Sequence, residues 1–132
     1  MSRVAQTDNL DKGDALGSDK ADFYAVLWVN GKDMGKTKNV SADDGMATWR
    51  RNLSSSDRYV KIRIRLMDDD GGLEGKDDHV DINPRGGKKD LEFTYDTRTG
   101  RISGDVSGRK GMEIHAAGEG DNDRGQLWFK IE

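Results

Sequence analysis

The chain has no cysteine, a single proline and no apolar run long enough to cross a membrane. Lack of cysteine excludes a disulfide framework and any thiolate metal site, and leaves the compartment open. The first residues, MSRVAQTDNLDKGD, contain no apolar signal-peptide core. Hydrophobic residues make up only 33% and charged residues 36%, a balance close to that of disordered chains, yet the three Trp, three Tyr and three Phe fall mostly in strand-like runs. At 132 residues the chain suits one soluble domain spanning 1–132, large enough to fold without a staple. Seventeen glycines favour short strands joined by turns over helices, and no amphipathic helical stretch interrupts that pattern.

The strand signals are local and physical. Phe23 to Val29 is apolar on both faces and ends at Asn30-Gly31, a dipeptide suited to a tight hairpin turn, so it reads as a central strand. Residues 35–40 and 48–53 read as two further strands. The clearest pattern runs from Tyr59 to Met67, where Val60, Ile62, Ile64 and Leu66 alternate with Lys61, Arg63 and Arg65. One side of that strand packs and the other is basic. Short strands follow around 79–82, ended by Pro84, then 90–95 and 100–106 as a hairpin across Asp96 to Thr99, then 112–116 and 126–131. Some eight strands at this spacing predict an all-β fold, an antiparallel eight-stranded Greek-key β-sandwich.

Acidic residues are concentrated. Residues 8–22 hold five Asp against two Lys, and residues 66–81 hold Asp68, Asp69, Asp70, Glu74, Asp77, Asp78 and Asp81 against Lys76 alone. These two segments carry −9 in a chain whose net charge is −3, so the remainder is basic by +6. Carboxylates gathered this densely repel one another unless a cation neutralises them. Calcium suits them, because it accepts six to eight hard oxygen ligands in irregular geometry, whereas zinc prefers His or Cys. Solvated loops that confer only solubility are the simpler alternative.

The order of the segments along the chain resembles the C-two domains, the calcium- and phospholipid-binding sandwiches of synaptotagmin and protein kinase C type. In that family an acidic loop enters an Asp-Pro-Tyr-Val strand, and Ser18-Asp19-Lys20-Ala21-Asp22-Phe23-Tyr24-Ala25 is similar. Lys36-Thr37-Lys38 and then Trp49 resemble the family's Lys-Thr-Lys strand, second loop and aromatic residue. Asp68, Asp70 and then Asp77 or Asp78, followed by His79-Val80, resemble its third loop, slightly lengthened. The likeness covers about residues 14 to 82 and departs from the family at Phe23, where Pro is usual, and in lacking the second loop's Asn-Pro pair.

The resemblance implies calcium ligands at Asp14 or Asp19, Asp22, Asp68, Asp70, and Asp77 or Asp78. It also places Leu16, Met46 and Leu73 in three loops at one apex, where they would touch lipid, with Lys61, Arg63 and Arg65 adding attraction to acidic headgroups. The implied activity is binding, not catalysis. His79 and His115 lie in strands, and Ser54-Ser55-Ser56 lacks a nucleophile's setting. The loop from Gly118 to Gly125, with Asp121 and Asp123, is a weaker metal candidate, lacking the glycine and terminal Glu of a calcium hand. A different class of function is a calcium-stabilised adhesive, carbohydrate- or protein-recognition module, which would use Trp28, Trp49 or Trp128 on an open sheet face. Nothing points to nucleic acid.

Overall fold

The alternation of Val60 to Leu66 with Lys61 to Arg65 produces the longest strand of the molecule, Tyr59–Asp68, with its aliphatic residues buried and its cations turned outward. A computed structural model describes residues 3–6, 22–37, 40–41, 46–48, 56–68, 78–119 and 125–132. Among these residues there is no helix, and twelve strands are present, several very short. In chain order they are β1 (Arg3–Gln6), β2 (Asp22–Val29), β3 (Lys32–Lys36), β4 (Val40–Ser41), β5 (Met46–Thr48) and β6 (Tyr59–Asp68). They continue as β7 (Asp78–Val80), β8 (Leu91–Asp96), β9 (Arg101–Gly104), β10 (Gly108–Arg109), β11 (Ile114–Ala117) and β12 (Gly125–Phe129). Every described ladder is antiparallel.

The strands form two sheets. One has the order β11-β12-β1-β5; the other has the order β10-β9-β8-β6-β2-β3, with β4 paired to β2 and β7 to β6. One hydrophobic core serves both, joining Phe23 and Leu27 of β2 and Ile64 and Leu66 of β6 to Leu127 and Phe129 of β12. Phe93 of β8 stacks on Phe129 at 5.0 Å between ring centroids, a direct contact from one sheet to the other. Full burial of each such side chain stabilises the fold by about 1.5–3 kcal/mol.

The turn after β2 forms as the dipeptide dictates, with Asn30 and Gly31 both at positive φ (51° and 81°). A two-residue turn lets the return strand begin at once, so β3 starts at Lys32 rather than at the expected residue 35. It ends near Thr37, whose amide donates to the Ala25 carbonyl while its Oγ1 accepts from the Ala25 amide at 2.9 Å. The short β5, Met46–Thr48, pairs with β1, and of the strand expected over 48–53 only Thr48 lies within the described residues. Met46, expected in a loop, therefore belongs to a strand, its backbone opposite Ala5. The hairpin across Asp96 to Thr99 joins β8 to β9, Thr94 opposite Ser103, and the two-residue β10 adds a strand that no sequence pattern marked.

Candidate functional site

β2, β6 and β7 reach the same end of their sheet, and each carries an aspartate there. Asp22 is the first residue of β2 and stands opposite Ser41 of β4. Phe23, its neighbour, stands opposite Asp68, the last residue of β6, and Asp68 is opposite Asp78, the first residue of β7. Three of the expected ligands thus begin or end strands that pair side by side. Asp68 is 2% exposed, a degree of burial rare for a carboxylate and set by the core strand on which it rides.

Sheet register brings further loop bases to this end. β1 ends at Gln6, opposite Gly125 of β12, and β5 begins at Met46, opposite Ala5. The Gly125 amide donates to the Asp81 carbonyl at 2.9 Å, which ties β12 to the residue following β7. Gly118 lies against the same residue; a Cβ on Gly118 would collide with the Asp81 carbonyl oxygen, so no larger residue fits. Residues 7–21, 42–45, 69–77 and 118–124, which these strand ends bound, contain thirteen carboxylates and four basic side chains. With Asp22, Asp68 and Asp78 they account for sixteen of the chain's 25 acidic residues, so the molecule's negative charge is attached to one end of its strands.

Asp14, Asp19, Asp70, Asp77, Leu16 and Leu73 lie outside the described residues, as do Asp69, Asp121, Asp123 and Trp49. Among the described residues no group of three or more His, Asp or Glu is set to hold a metal ion. The expected ligands Asp22, Asp68 and Asp78 are all carboxylates, which as a ligand type suit a hard cation such as calcium better than a soft metal. Asp81, buried at 7% exposure, carries no sequence mark that sets it apart from its acidic neighbours. Its role depends on contact with Gly118 and Gly125, more than thirty residues downstream, for which the local sequence holds no signal.

The outer face of the larger sheet carries a second charged constellation, centred on Asp90. Its carboxylate accepts from Arg63 Nε at 2.8 Å, from Arg65 Nε at 3.1 Å and from His79 Nε2. Burial alone would raise the Asp90 pKa, but the hydrogen bonds from Arg65, Arg63 and His79 outweigh it and hold the carboxyl below the usual carboxylate range. The guanidiniums of Arg63 and Arg65 also lie 4.6 and 5.1 Å from the centre of the Trp28 ring. Two of the three cations expected to meet lipid are therefore already engaged by the protein, while Lys61 is exposed.

A fully buried asparagine fixes this constellation. Asn83 donates from Nδ2 to the Asp90 carbonyl at 2.7 Å and to Asp105 Oδ2 at 2.9 Å, and its Oδ1 accepts from the Arg85 amide at 2.8 Å. The Asn83 amide donates to Asp81 Oδ1 at 3.0 Å. Asn83 thereby links the residue that supports the Gly118–Gly125 hairpin to the one that gathers the arginines. On the smaller sheet His115 stacks on Trp128 at 4.6 Å and hydrogen-bonds Gln126 Oε1 at 2.7 Å. No helix among the described residues is long and apolar enough to cross a membrane. No family model, curated protein or solved structure matches the chain, and a reading of its function rests on these residues alone.

Proposed function

We propose that this chain is a calcium-binding β-sandwich module of Greek-key, C-two-like kind, not an enzyme, and that bound calcium lets its acidic end attach to anionic membrane surfaces. The observation that carries the reading is the side-by-side arrangement of Asp22, Asp68 and Asp78 at paired strand ends, with Asp68 buried. Like charges borne on neighbouring strand ends repel, and a divalent cation bound between them would convert that repulsion into attraction. Asp22, Asp68 and Asp78 would supply rigid ligands, and Asp14, Asp19, Asp70 and Asp77 the adjustable ones. Calcium supplies positive charge at the apex, which lowers the barrier to approach of acidic headgroups.

The second reading is a calcium-stabilised adhesive, carbohydrate- or protein-recognition module, which needs open aromatic faces. Trp28 is covered by two guanidiniums and Trp128 by the His115 ring, so membrane attachment is the preferred reading. Thermal unfolding tests the shared premise. Calcium at a hundred times its dissociation constant adds about 2.7 kcal/mol to stability, which raises Tm by roughly 10 °C for a domain this size. Magnesium should do much less. Melting curves that coincide in millimolar calcium and in chelator would sink both readings.

A further inference from the structure

Asn30 is followed by Gly31, the pairing in which an asparagine side chain is least shielded from its neighbour's backbone nitrogen. In this fold the side chain is held at both ends. Its Oδ1 accepts from the Lys61 amide at 2.9 Å, and its Nδ2 donates to Asp57 Oδ2 at 2.9 Å. The Asn30 amide donates in turn to the Lys61 carbonyl at 2.8 Å. Asn30 and Lys61 thus exchange two hydrogen bonds one residue beyond the last β2–β6 rung, Val29 opposite Ile62, with a side-chain oxygen standing in for a backbone carbonyl.

We propose that Asn30 is a latent deamidation site, kept closed by its hydrogen bonds to Lys61 and Asp57 and opened when the turn frays. In the reaction the Gly31 nitrogen, losing its proton to water, attacks Asn30 Cγ; the Cγ–Nδ2 bond breaks, ammonia leaves and a cyclic imide forms. Water then opens either imide carbonyl to give aspartate or isoaspartate. Attack requires Cγ and the Gly31 nitrogen to approach to about 3–3.5 Å in the right orientation. Rotation of a carboxamide held by two hydrogen bonds breaks them, so the bonds to Lys61 and Asp57 oppose the side-chain motion that attack requires.

The change is self-sustaining once made. The product has no N–H to offer Asp57 and faces it with a second negative charge, so attraction becomes repulsion at the same distance. The isoaspartate product also adds a backbone atom to a two-residue turn, which disturbs the local geometry of the β2–β3 hairpin. Asn30 and Asp22 stand at opposite ends of β2, roughly 26 Å apart at the rise of an extended strand. Damage at the turn therefore leaves the candidate calcium end intact.

Peptide mapping by mass spectrometry tests this on the intact chain, incubated at mildly alkaline pH with and without denaturant. Loss of two net hydrogen bonds as the cost of opening predicts deamidation at Asn30 roughly thirtyfold slower in the folded chain than in the unfolded one. Asp57→Ala should remove about half of that protection on a logarithmic scale, and Asp57→Asn, which keeps an acceptor oxygen, should retain most of it. Equal rates for folded and unfolded chains would overturn the proposal. So would an Asp57→Ala variant, shown to be folded by its melting curve, that deamidates no faster than the parent.

Discussion

Asp68, the last residue of β6, stands directly opposite Asp78, the first residue of β7, in the terminal rung of an antiparallel ladder. Like charges in opposed positions destabilise a sheet, and under the proposed function a bound cation would offset that cost at this rung.

Asp68→Asn is therefore expected to act with opposite signs in two conditions. In chelator it should leave Tm unchanged or raise it, because the amide keeps the shape and an acceptor oxygen while removing one charge. In calcium it should abolish most of the ligand-induced rise, and Asp22→Asn should do the same. Asp69→Asn and Asp121→Asn should change little. A full calcium response in the Asp68 variant would remove that residue from the metal site, and a loss confined to the Asp121 variant would move the site to the Gly118–Gly125 hairpin.

The Asp90 constellation predicts a specific acid sensitivity. Asp90 is held ionised by Arg65, Arg63 and His79, so its folded pKa lies below its unfolded value of about 3.9. Its contribution is complete above about pH 5 and disappears as pH falls through the unfolded and then the folded pKa. Asp90→Asn should lower Tm by roughly 8 °C at neutral pH, corresponding to about 2 kcal/mol, with the gap between variant and parent narrowing as pH falls below the unfolded value of about 3.9. Unfolding curves of both proteins across that range check it; a gap independent of pH would show that charge is not what Asp90 contributes.

Gly118→Ala should destabilise the protein more than an exposed glycine substitution does. The new methyl would meet the Asp81 backbone, which cannot move without disturbing the Asn83 hydrogen bonds. A cost of about 1–3 kcal/mol is expected, with Gly86→Ala, whose added Cβ meets nothing within 4 Å, as the neutral comparison. Equal melting temperatures for the two variants would contradict the close approach.

Attachment to membranes makes a separate prediction. Sedimentation with acidic liposomes should require calcium and weaken as salt rises, since the Debye length shrinks from about 10 Å at 0.1 M to about 3 Å at 1 M. Replacing Leu16 and Leu73 with Ser should reduce sedimentation while leaving calcium affinity unchanged. If no protein sediments at saturating calcium and low salt, the recognition module becomes the better reading.

How far the sequence alone reaches can be judged residue by residue. The period-two alternation of β6 and the Asn30-Gly31 turn are local properties, and both strands and turn form where the pattern puts them. The antiparallel, helix-free character follows from the same signals. By contrast, β3 has no apolar run to announce it, and its start was missed by three residues because only the hairpin geometry fixes it. At the acidic end, the strand-end positions of Asp22 and Asp68 are legible because each adjoins a strongly apolar run. Asp81, Asn83 and Asp90 are not, because each is defined by partners far away in sequence: Gly118 and Gly125, Asp105, and the Arg63–Arg65 pair.

The position of β1 between β12 and β5 has a consequence for how the molecule is made. Arg3 is opposite both Thr48 and Trp128, so β1 can pair with β5 early but meets β12 only after more than a hundred further residues have been synthesised. The larger sheet, assembled from segments between Asp22 and Arg109, can close while the chain is still growing. The smaller sheet cannot be completed until β12 is made, because β12 joins β11 to β1. Folding should therefore finish in one late step, slow because the contact it closes is so distant in sequence. Until then the inward residues of β8, Phe93 above all, lack the aromatic ring that finally covers them.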